Sequence, residues 1–94
     1  QQGFAYYGKF ASSDNRALVN NGTMIAFAPY GLTEYTTPSE VTALGNWLLY
    51  QCNELKSLTI SDNITKIGEC AIYYCVNIES LTIGNNVNYI GKEA

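Results

Sequence analysis

The chain has 94 residues, which is enough for one small domain with a modest core. Its formal net charge is −3 and its five Lys and Arg residues are scattered singly, so a nucleic acid finds no basic patch to bind. No apolar run approaches the roughly 20 residues of a membrane helix, and the chain contains no histidine for Ser-His, Cys-His or most zinc sites. These features exclude a transmembrane segment and the commonest catalytic and metal-binding arrangements.

Residues 1–30 differ from the rest of the chain and are predicted to form an N-terminal capping segment. Phe4–Phe10 is aromatic and strand-like. Two further apolar runs, 16–20 and 23–27, flank Asn21–Gly22, which is a strong signal for a tight β-hairpin. We expect this hairpin to lean on the first unit of the following segment and to cover its apolar surface, because terminal units of repeat proteins need such a cover.

Residues 31–94 repeat one pattern with a period of 23 residues. The copy that begins at Cys52 reads CNELKSLTISDNITKIGECAIYY, and the copy that begins at Cys75 reads CVNIESLTIGNNVNYIGKEA. A more diverged copy upstream reads GLTEYTTPSEVTALGNWLLYQC. A period within ~20–29 residues and an LxxLxI core are typical of a leucine-rich-repeat solenoid. The sequence therefore predicts an α/β repeat with about two and a half coils of 23 residues.

Each coil is predicted to begin with a short strand. In the central copy Leu58 and Ile60 alternate with Thr59, which is the pattern of a strand with one buried face. Stacking the coils places Thr59 between Thr36 and Thr82 in a parallel, in-register sheet. The repeated apolar positions are the expected core: Leu55, Leu58, Ile60, Ile64, Ile67, Ile72, Ile78, Leu81, Ile83 and Ile90.

A turn and a second short apolar segment follow each strand and end in a repeated glycine such as Gly68. Glycine suits a corner where the backbone needs a positive φ or a close approach. Beyond the corner, residues 45–52 and 68–75 are predicted to form about one helical turn each.

The motif SLTI-(S/G)-(D/N)N-(I/V)-x-x-IG resembles the BspA-like, or Treponema pallidum-type, leucine-rich repeats of bacterial surface proteins. The stretch from Tyr6 to Pro38 is similar to a segment that recurs in such proteins from gut Bacteroides relatives. Three residues depart from the family pattern: Leu49 and Ile72 stand where Phe is usual, and Thr37 stands where the strand usually ends in Ile. The resemblance implies a cell-surface or secreted bacterial protein that adheres to host proteins or to other cells.

The two ends of the chain bear on that expectation. The start lacks the charged and apolar regions of a signal peptide, and the last coil stops at 91–94, where a segment like AIYYC is due. If the resemblance holds, we expect either an export signal ahead of Gln1 or a longer parent protein.

The three cysteines offer little chemistry. Cys52 and Cys75 are repeat equivalents and are expected to lie about 4.8 Å apart, a distance that permits a disulfide. We favour free thiols that pack as small buried hydrophobes. Cys70 shares its slot with Trp47 and Glu93 and is expected to be exposed. The sequence has no CxxC spacing, no histidine and no pair of acidic residues placed on one face. We therefore predict no metal site, no cofactor and no enzymatic activity.

The outward strand positions form the candidate concave binding face, on which a solenoid of this kind recognises partners. A purely solvated strand surface is the alternative. Nearby tyrosines that could supply a binding anchor are Tyr30, Tyr35 and Tyr50. The candidate face comprises Glu34, Thr36, Lys56, Ser57, Thr59, Glu79, Ser80 and Thr82.

Two functions from different classes follow from these observations. The first is recognition of, or adhesion to, another protein, such as a host or neighbouring-cell surface protein. The second is structural, with copies that stack head to tail, the last coil of one copy meeting the Phe4–Phe27 hairpin of the next.

Overall fold

The computed structural model describes residues 5–50, 52–73 and 75–94, and within these ranges it contains strands and turns but no helix. The strands, in chain order, are β1 (Ala17–Asn20), β2 (Thr23–Phe27), β3 (Glu34–Thr36), β4 (Ala43–Leu44), β5 (Ser57–Ile60), β6 (Lys66–Ile67), β7 (Ser80–Ile83) and β8 (Tyr89–Ile90). They form a three-stranded sheet, β3-β5-β7, and a five-stranded sheet, β1-β2-β4-β6-β8. We call β3 and β4 with their connections the first coil, β5 and β6 the second, and β7 and β8 the third.

The coils pair in parallel, and the pairing confirms the predicted neighbours. Thr36 lies beside Thr59, and Thr59 lies beside Thr82. In the other sheet Ala43 pairs with Lys66, which is 23 residues further along the chain. The second apolar segments of the coils therefore pair in the five-stranded sheet, beside the strands β1 and β2, which the sequence interpretation did not anticipate.

The core lies between the two sheets and is best formed in the second coil. In β5 the side chains alternate between half-buried and fully buried, as its period of two predicts. Leu58, Ile60, Ile64 and Ile67 are each at most 2% exposed. Leu55 is also buried, so these five predicted core positions are confirmed.

The predicted hairpin is present, with β1 and β2 antiparallel. Asn21 and Gly22 both have positive φ, 51° and 82°, which is the geometry that a two-residue turn of this type needs. Strand β2 then pairs in parallel with β4, so the hairpin contributes two of the five strands of this sheet. The strand predicted over Phe4–Phe10 is wrong for residues 5–10, which form no strand; Phe4 itself lies outside the described residues.

The predicted helical turns are replaced by turns whose backbone bonds run between coils. Trp47 N–H donates to the Glu69 carbonyl at 3.0 Å, and Leu49 N–H donates to the Ala71 carbonyl at 2.7 Å. A helix would instead direct these donors to carbonyls four residues back. Trp47 also has φ 58°, in the left-handed region that ends a helix. Gln51 and Tyr74, which complete the two predicted segments, lie outside the described residues.

The repeated glycines serve close approach between coils. A Cβ on Gly68 would lie 2.8 Å from the Leu44 carbonyl oxygen and 2.9 Å from the Asn46 nitrogen. The positive φ values occur two residues later, at Trp47, Cys70 and Glu93.

Burial decreases in the third coil, which corrects part of the predicted core. Leu81, Ile83 and Ile90 are 48%, 43% and 58% exposed. Ile72 and Ile78 are half-buried. The cause is the stacking itself, because β7 and β8 are edge strands of their sheets and have a neighbouring coil on one side only.

Candidate interaction surface

The predicted binding residues lie in two rows on the outward side of the three-stranded sheet. Glu34, Ser57 and Ser80 pair in register and form one row. Thr36, Thr59 and Thr82 form the other row. The alternate positions Tyr35, Leu58 and Leu81 lie between the rows; Tyr35 and Leu58 are buried and Leu81 is about half exposed.

Lys56 and Glu79 precede β5 and β7 and extend this surface at one end. Glu79 N–H donates to the Lys56 carbonyl at 2.8 Å, and Lys56 N–H donates to the Thr33 carbonyl at 2.7 Å. Both side chains are exposed. The structure thus places six of the eight predicted residues on the strands of this sheet, with Lys56 and Glu79 directly before β5 and β7, and we call the set of eight the three-strand face.

Polar contacts fix the sheet where its strands end. Thr37, directly after β3, is 4% exposed. Its hydroxyl donates to Ser61 Oγ at 2.9 Å and accepts from Ser61 N–H at 2.9 Å. The buried Thr37 hydroxyl is therefore satisfied by hydrogen bonds between the first two coils.

Two of the three tyrosines considered as anchors are exposed, and the third is not available. Tyr35 is 8% exposed, and its hydroxyl donates to Asp14 at 2.8 Å. Tyr35 therefore packs in the core, against the Phe27 ring at 4.5 Å between centroids. Tyr30 and Tyr50 are 46% and 42% exposed.

An exposed aromatic cluster lies on the corner turns. Trp47 is 51% exposed. Its ring contacts the Tyr50 ring at 5.2 Å and the Tyr73 ring at 5.9 Å between centroids. Sequence interpretation missed this cluster, although the 23-residue spacing of Tyr50 and Tyr73 signals that the two rings stack in adjacent coils.

The outward face of the five-stranded sheet carries a second surface feature that sequence interpretation missed. Lys66 Nζ lies 5.7 Å from the centre of the Tyr89 ring, and Asn46 Oδ1 accepts from Glu69 N–H at 2.7 Å. These groups border an open groove of about 590 Å³. The in-register positions Ala43, Lys66 and Tyr89 would have indicated it, had the second apolar segment been recognised as a strand.

The turn around Asp14 ties the N-terminal segment to the first coil. Asp14 accepts hydrogen bonds from the Ser12 hydroxyl, Arg16 N–H and the Tyr35 hydroxyl. Glu40 accepts from Ser13 N–H at 2.6 Å. The segment before β1 is therefore linked to the first coil at two points: Asp14 contacts Tyr35 in β3, and Ser13 contacts Glu40 after β3.

Acid is expected to weaken this link. Burial raises the pKa of Asp14, but the hydrogen bonds from Ser12, Arg16 and Tyr35 together outweigh burial and hold the pKa below its usual value. The bond from Ser13 N–H is the main cause that lowers the pKa of Glu40. A carboxyl whose pKa is lower in the folded state stabilises the fold above its unfolded pKa, about 4. It loses that contribution as the pH falls through the folded value.

The measurement is the melting temperature between pH 7 and pH 2.5, for the unmodified chain and for Asp14→Asn. We expect the melting temperature of the unmodified chain to fall more steeply below about pH 4 than that of the variant. Parallel curves would show that Asp14 does not stabilise the folded state as a carboxylate.

The described residues present no assembled catalytic or metal centre. Within 5–50, 52–73 and 75–94, no group of three Cys, Asp or Glu residues is placed to hold a metal ion. Every buried side-chain nitrogen and oxygen in these ranges has a hydrogen-bond partner. No helix in the described part of the chain is long and apolar enough to cross a membrane.

All three cysteines are free thiols. Cys52 is buried and Cys75 is half-buried. The predicted exposure of Cys70 is wrong, since it is only 3% exposed. Its sulfur lies 3.8 Å from the Lys92 carbonyl oxygen and 3.9 Å from Glu93 Oε1, so the third coil covers it.

Comparison with known proteins gives one family and one fold. The family model described as "BspA type Leucine rich repeat region (6 copies)" matches residues 17–94. A crystal structure of a leucine-rich repeat protein from Bacteroides capillosus ATCC 29799 superposes with a TM-score of 0.69 at 22% sequence identity. That match covers 74% of this chain and 59% of the Bacteroides protein. No curated protein matches the sequence.

The family match covers most of the chain, including the β1–β2 hairpin, and the structural match independently gives the leucine-rich-repeat fold. Proteins of this fold are generally non-enzymatic and bind other proteins across the extended surface of stacked repeats. The predicted resemblance is confirmed, and the chain belongs to the family of BspA-type leucine-rich repeats.

Proposed function

We propose that the chain is the recognition module of a bacterial surface or secreted protein, and that it binds a host or neighbouring-cell protein through the three-strand face. The observation that carries the proposal is the register of β3, β5 and β7. It assembles hydroxyl and charged side chains from three coils into one continuous outward surface. A partner strand or loop could contact all three coils at once.

The organisation of the chain supports this function. We infer that residues 31–94 form the 23-residue coils that carry the face, and that residues 1–30 contain the cap. Met24 and Phe27 of β2 are buried at the first coil, and β2 occupies the edge of β4 that would otherwise be open. The hairpin thereby protects the stack at that side, as terminal units of solenoids do.

The test uses matched substitutions on two surfaces of the second coil. Thr59→Arg places a bulky charge at the centre of the three-strand face. Thr65→Arg makes the same change at an exposed threonine beside β6, on the other sheet. Biolayer interferometry would measure binding of each chain to a panel of purified host extracellular-matrix proteins.

A panel member that binds the unmodified chain is expected to bind Thr59→Arg at least about tenfold more weakly. Binding to Thr65→Arg should stay within about twofold, because that position lies outside the face. Equal losses in both variants, or no binding by any panel member, would contradict adhesion through this face.

Self-assembly is a second candidate, favoured by the exposed apolar end of the third coil. Leu81, Ile83 and Ile90 border an apolar depression of about 300 Å³ between β7 and β8. Exposed apolar edges of this kind invite pairing with another chain. A contact between this end and the hairpin end of a second copy joins two different surfaces, so it could propagate.

Light scattering over a concentration series distinguishes the two candidates. Head-to-tail assembly predicts that the average mass of the 94-residue chain rises with concentration, and that Ile83→Lys reduces the rise. A monomer at high micromolar concentration would contradict self-assembly and leave recognition of another protein as the proposal.

A further inference from the structure

Cys52 and Cys75 occupy equivalent positions in the second and third coils, each five residues before the first residue of β5 or β7. Two cross-coil hydrogen bonds follow the pair along the chain. Asn77 Nδ2 donates to the Asn53 carbonyl at 2.7 Å, and Glu79 N–H donates to the Lys56 carbonyl at 2.8 Å. The strands β5 and β7 that follow the two cysteines pair in register and so lie about 4.8 Å apart, a spacing within the Cα separation of about 4.4–6.8 Å that a disulfide spans.

The Cys75 thiol also lies close to the backbone of Cys52. Cys75 Sγ lies 2.8 Å from the Leu49 carbonyl oxygen, and the Cys52 backbone nitrogen lies 3.1 Å from the same oxygen. The interaction with the Cys75 thiol, together with burial, raises the pKa of Cys52, and the interaction with the Cys52 thiol lowers the pKa of Cys75.

We propose that Cys52 and Cys75 are an oxidisable pair that closes a disulfide between the second and third coils. The bond would fasten the third coil, whose strands have a neighbour on one side only, to the well-packed second coil. This proposal concerns covalent modification of the chain and does not depend on which partner the three-strand face binds.

The oxidant is a small-molecule disulfide, such as oxidised glutathione. The Cys75 thiol loses its proton, and the thiolate attacks one sulfur of the oxidant; the oxidant's S–S bond breaks and one small thiolate leaves. Cys52 then loses its proton and attacks the Cys75 sulfur of the mixed disulfide, which releases the second small thiolate. The two protein protons end on the two released thiols, so the protein loses two electrons and the oxidant gains them.

Cys75 is the expected first nucleophile because it is only half-buried, whereas Cys52 is 6% exposed. Cys70 provides an internal control, since it is buried beneath Lys92 and Glu93 and has no neighbouring thiol in its contacts. Selective loss of the other two thiols would therefore distinguish a positioned pair from general oxidation.

The experiment treats the folded 94-residue chain with a mixture of oxidised and reduced glutathione. Intact mass, thiol titration and peptide mapping without reduction are the measurements. The unmodified chain and Cys70→Ser should each lose two titratable thiols and the mass of two hydrogen atoms, and the map should join the peptides of Cys52 and Cys75. Cys75→Ser should form no internal disulfide.

The closed disulfide should raise the melting temperature by more than about 5 °C over the reduced chain, because the cross-link lowers the conformational entropy of the unfolded chain. Three titratable thiols after treatment, stable glutathione adducts in place of the internal bond, or a disulfide that involves Cys70 would each overturn the proposal. Mapping of the unmodified chain and of Cys70→Ser decides the matter even if Cys75→Ser does not fold.

Discussion

Replacing Leu58 with Ala is expected to lower the free energy of unfolding by about 2–5 kcal/mol. Leu58 is 1% exposed and lies between Tyr35 and Leu81 in the three-stranded sheet. Removal of its side chain leaves a cavity that the adjacent coils cannot fill, because their own backbones are held by parallel pairing. Urea unfolding measured at low micromolar concentration gives the free energy.

Leu81→Ala is the matched control, because Leu81 is the repeat equivalent of Leu58 in the third coil. At 48% exposure it is already largely in water, so its truncation should cost less than about 1 kcal/mol. Equal losses of unfolding free energy in the two variants, or a loss below about 1 kcal/mol for Leu58→Ala, would contradict the conclusion that the core is fully buried in the second coil and not in the third.

Gly68→Ala is expected to destabilise the fold by about 1–3 kcal/mol, the range for inserting a group into a filled space. The added Cβ would lie 2.8 Å from the Leu44 carbonyl oxygen and 2.9 Å from the Asn46 nitrogen. Both atoms belong to the backbone of the first coil, so relief requires the two coils to separate. Gly68 N–H also donates to the Leu44 carbonyl at 2.9 Å, and separation would lengthen that bond.

The same substitution in an Asn46→Ala background separates backbone contact from side-chain contact. The new Cβ would also lie 2.6 Å from Asn46 Oδ1, and Asn46→Ala removes that side-chain amide, with the hydrogen bond that it accepts from Glu69 N–H, but leaves the backbone atoms in place. We expect the additional cost of Gly68→Ala to persist in the double variant, measured as a double-mutant cycle by urea unfolding. If Gly68→Ala costs almost nothing in the Asn46→Ala background, glycine is required at this position only to make room for the Asn46 side chain, and not for the backbone of the first coil.

The repeat explains why the sequence predicted so much of this fold. A period of 23 residues determines which residues are neighbours, so the Thr36, Thr59 and Thr82 row required no knowledge of the structure. The Asn21–Gly22 pair similarly predicted the hairpin, since both residues tolerate the positive φ that they adopt.

The incorrect predictions concern features that depend on neighbouring coils. Residues such as Leu48 and Leu49 suit a helical turn locally, but the Leu49 N–H bonds to Ala71 in the next coil. The repeat also predicted equal burial for Leu58 and Leu81, which differ because only Leu58 has a coil on both sides. Trp47 and Cys70 occupy equivalent positions in the repeat and both have a positive φ. Trp47 is nevertheless exposed and Cys70 is buried, so position in the repeat did not determine exposure here.

The six strand positions of the candidate face were predictable, because the 23-residue repeat gives the register and strand alternation then assigns which residues point the same way. The aromatic cluster at Trp47 and the groove beside Lys66 were not predicted. They lie on the corner turns and the second sheet, where two-residue strands such as Lys66–Ile67 give no recognisable alternation.

The fold and the proposed recognition surface both depend on parallel pairing between residues 23 apart. Nuclear Overhauser contacts of Thr59 in the folded chain test this most directly. We expect backbone contacts from Thr59 to Thr36 on one side and to Thr82 on the other. A register displaced by even one residue, or Thr59 and Thr82 on opposite sides of the sheet, would contradict the stacking and remove the three-strand face.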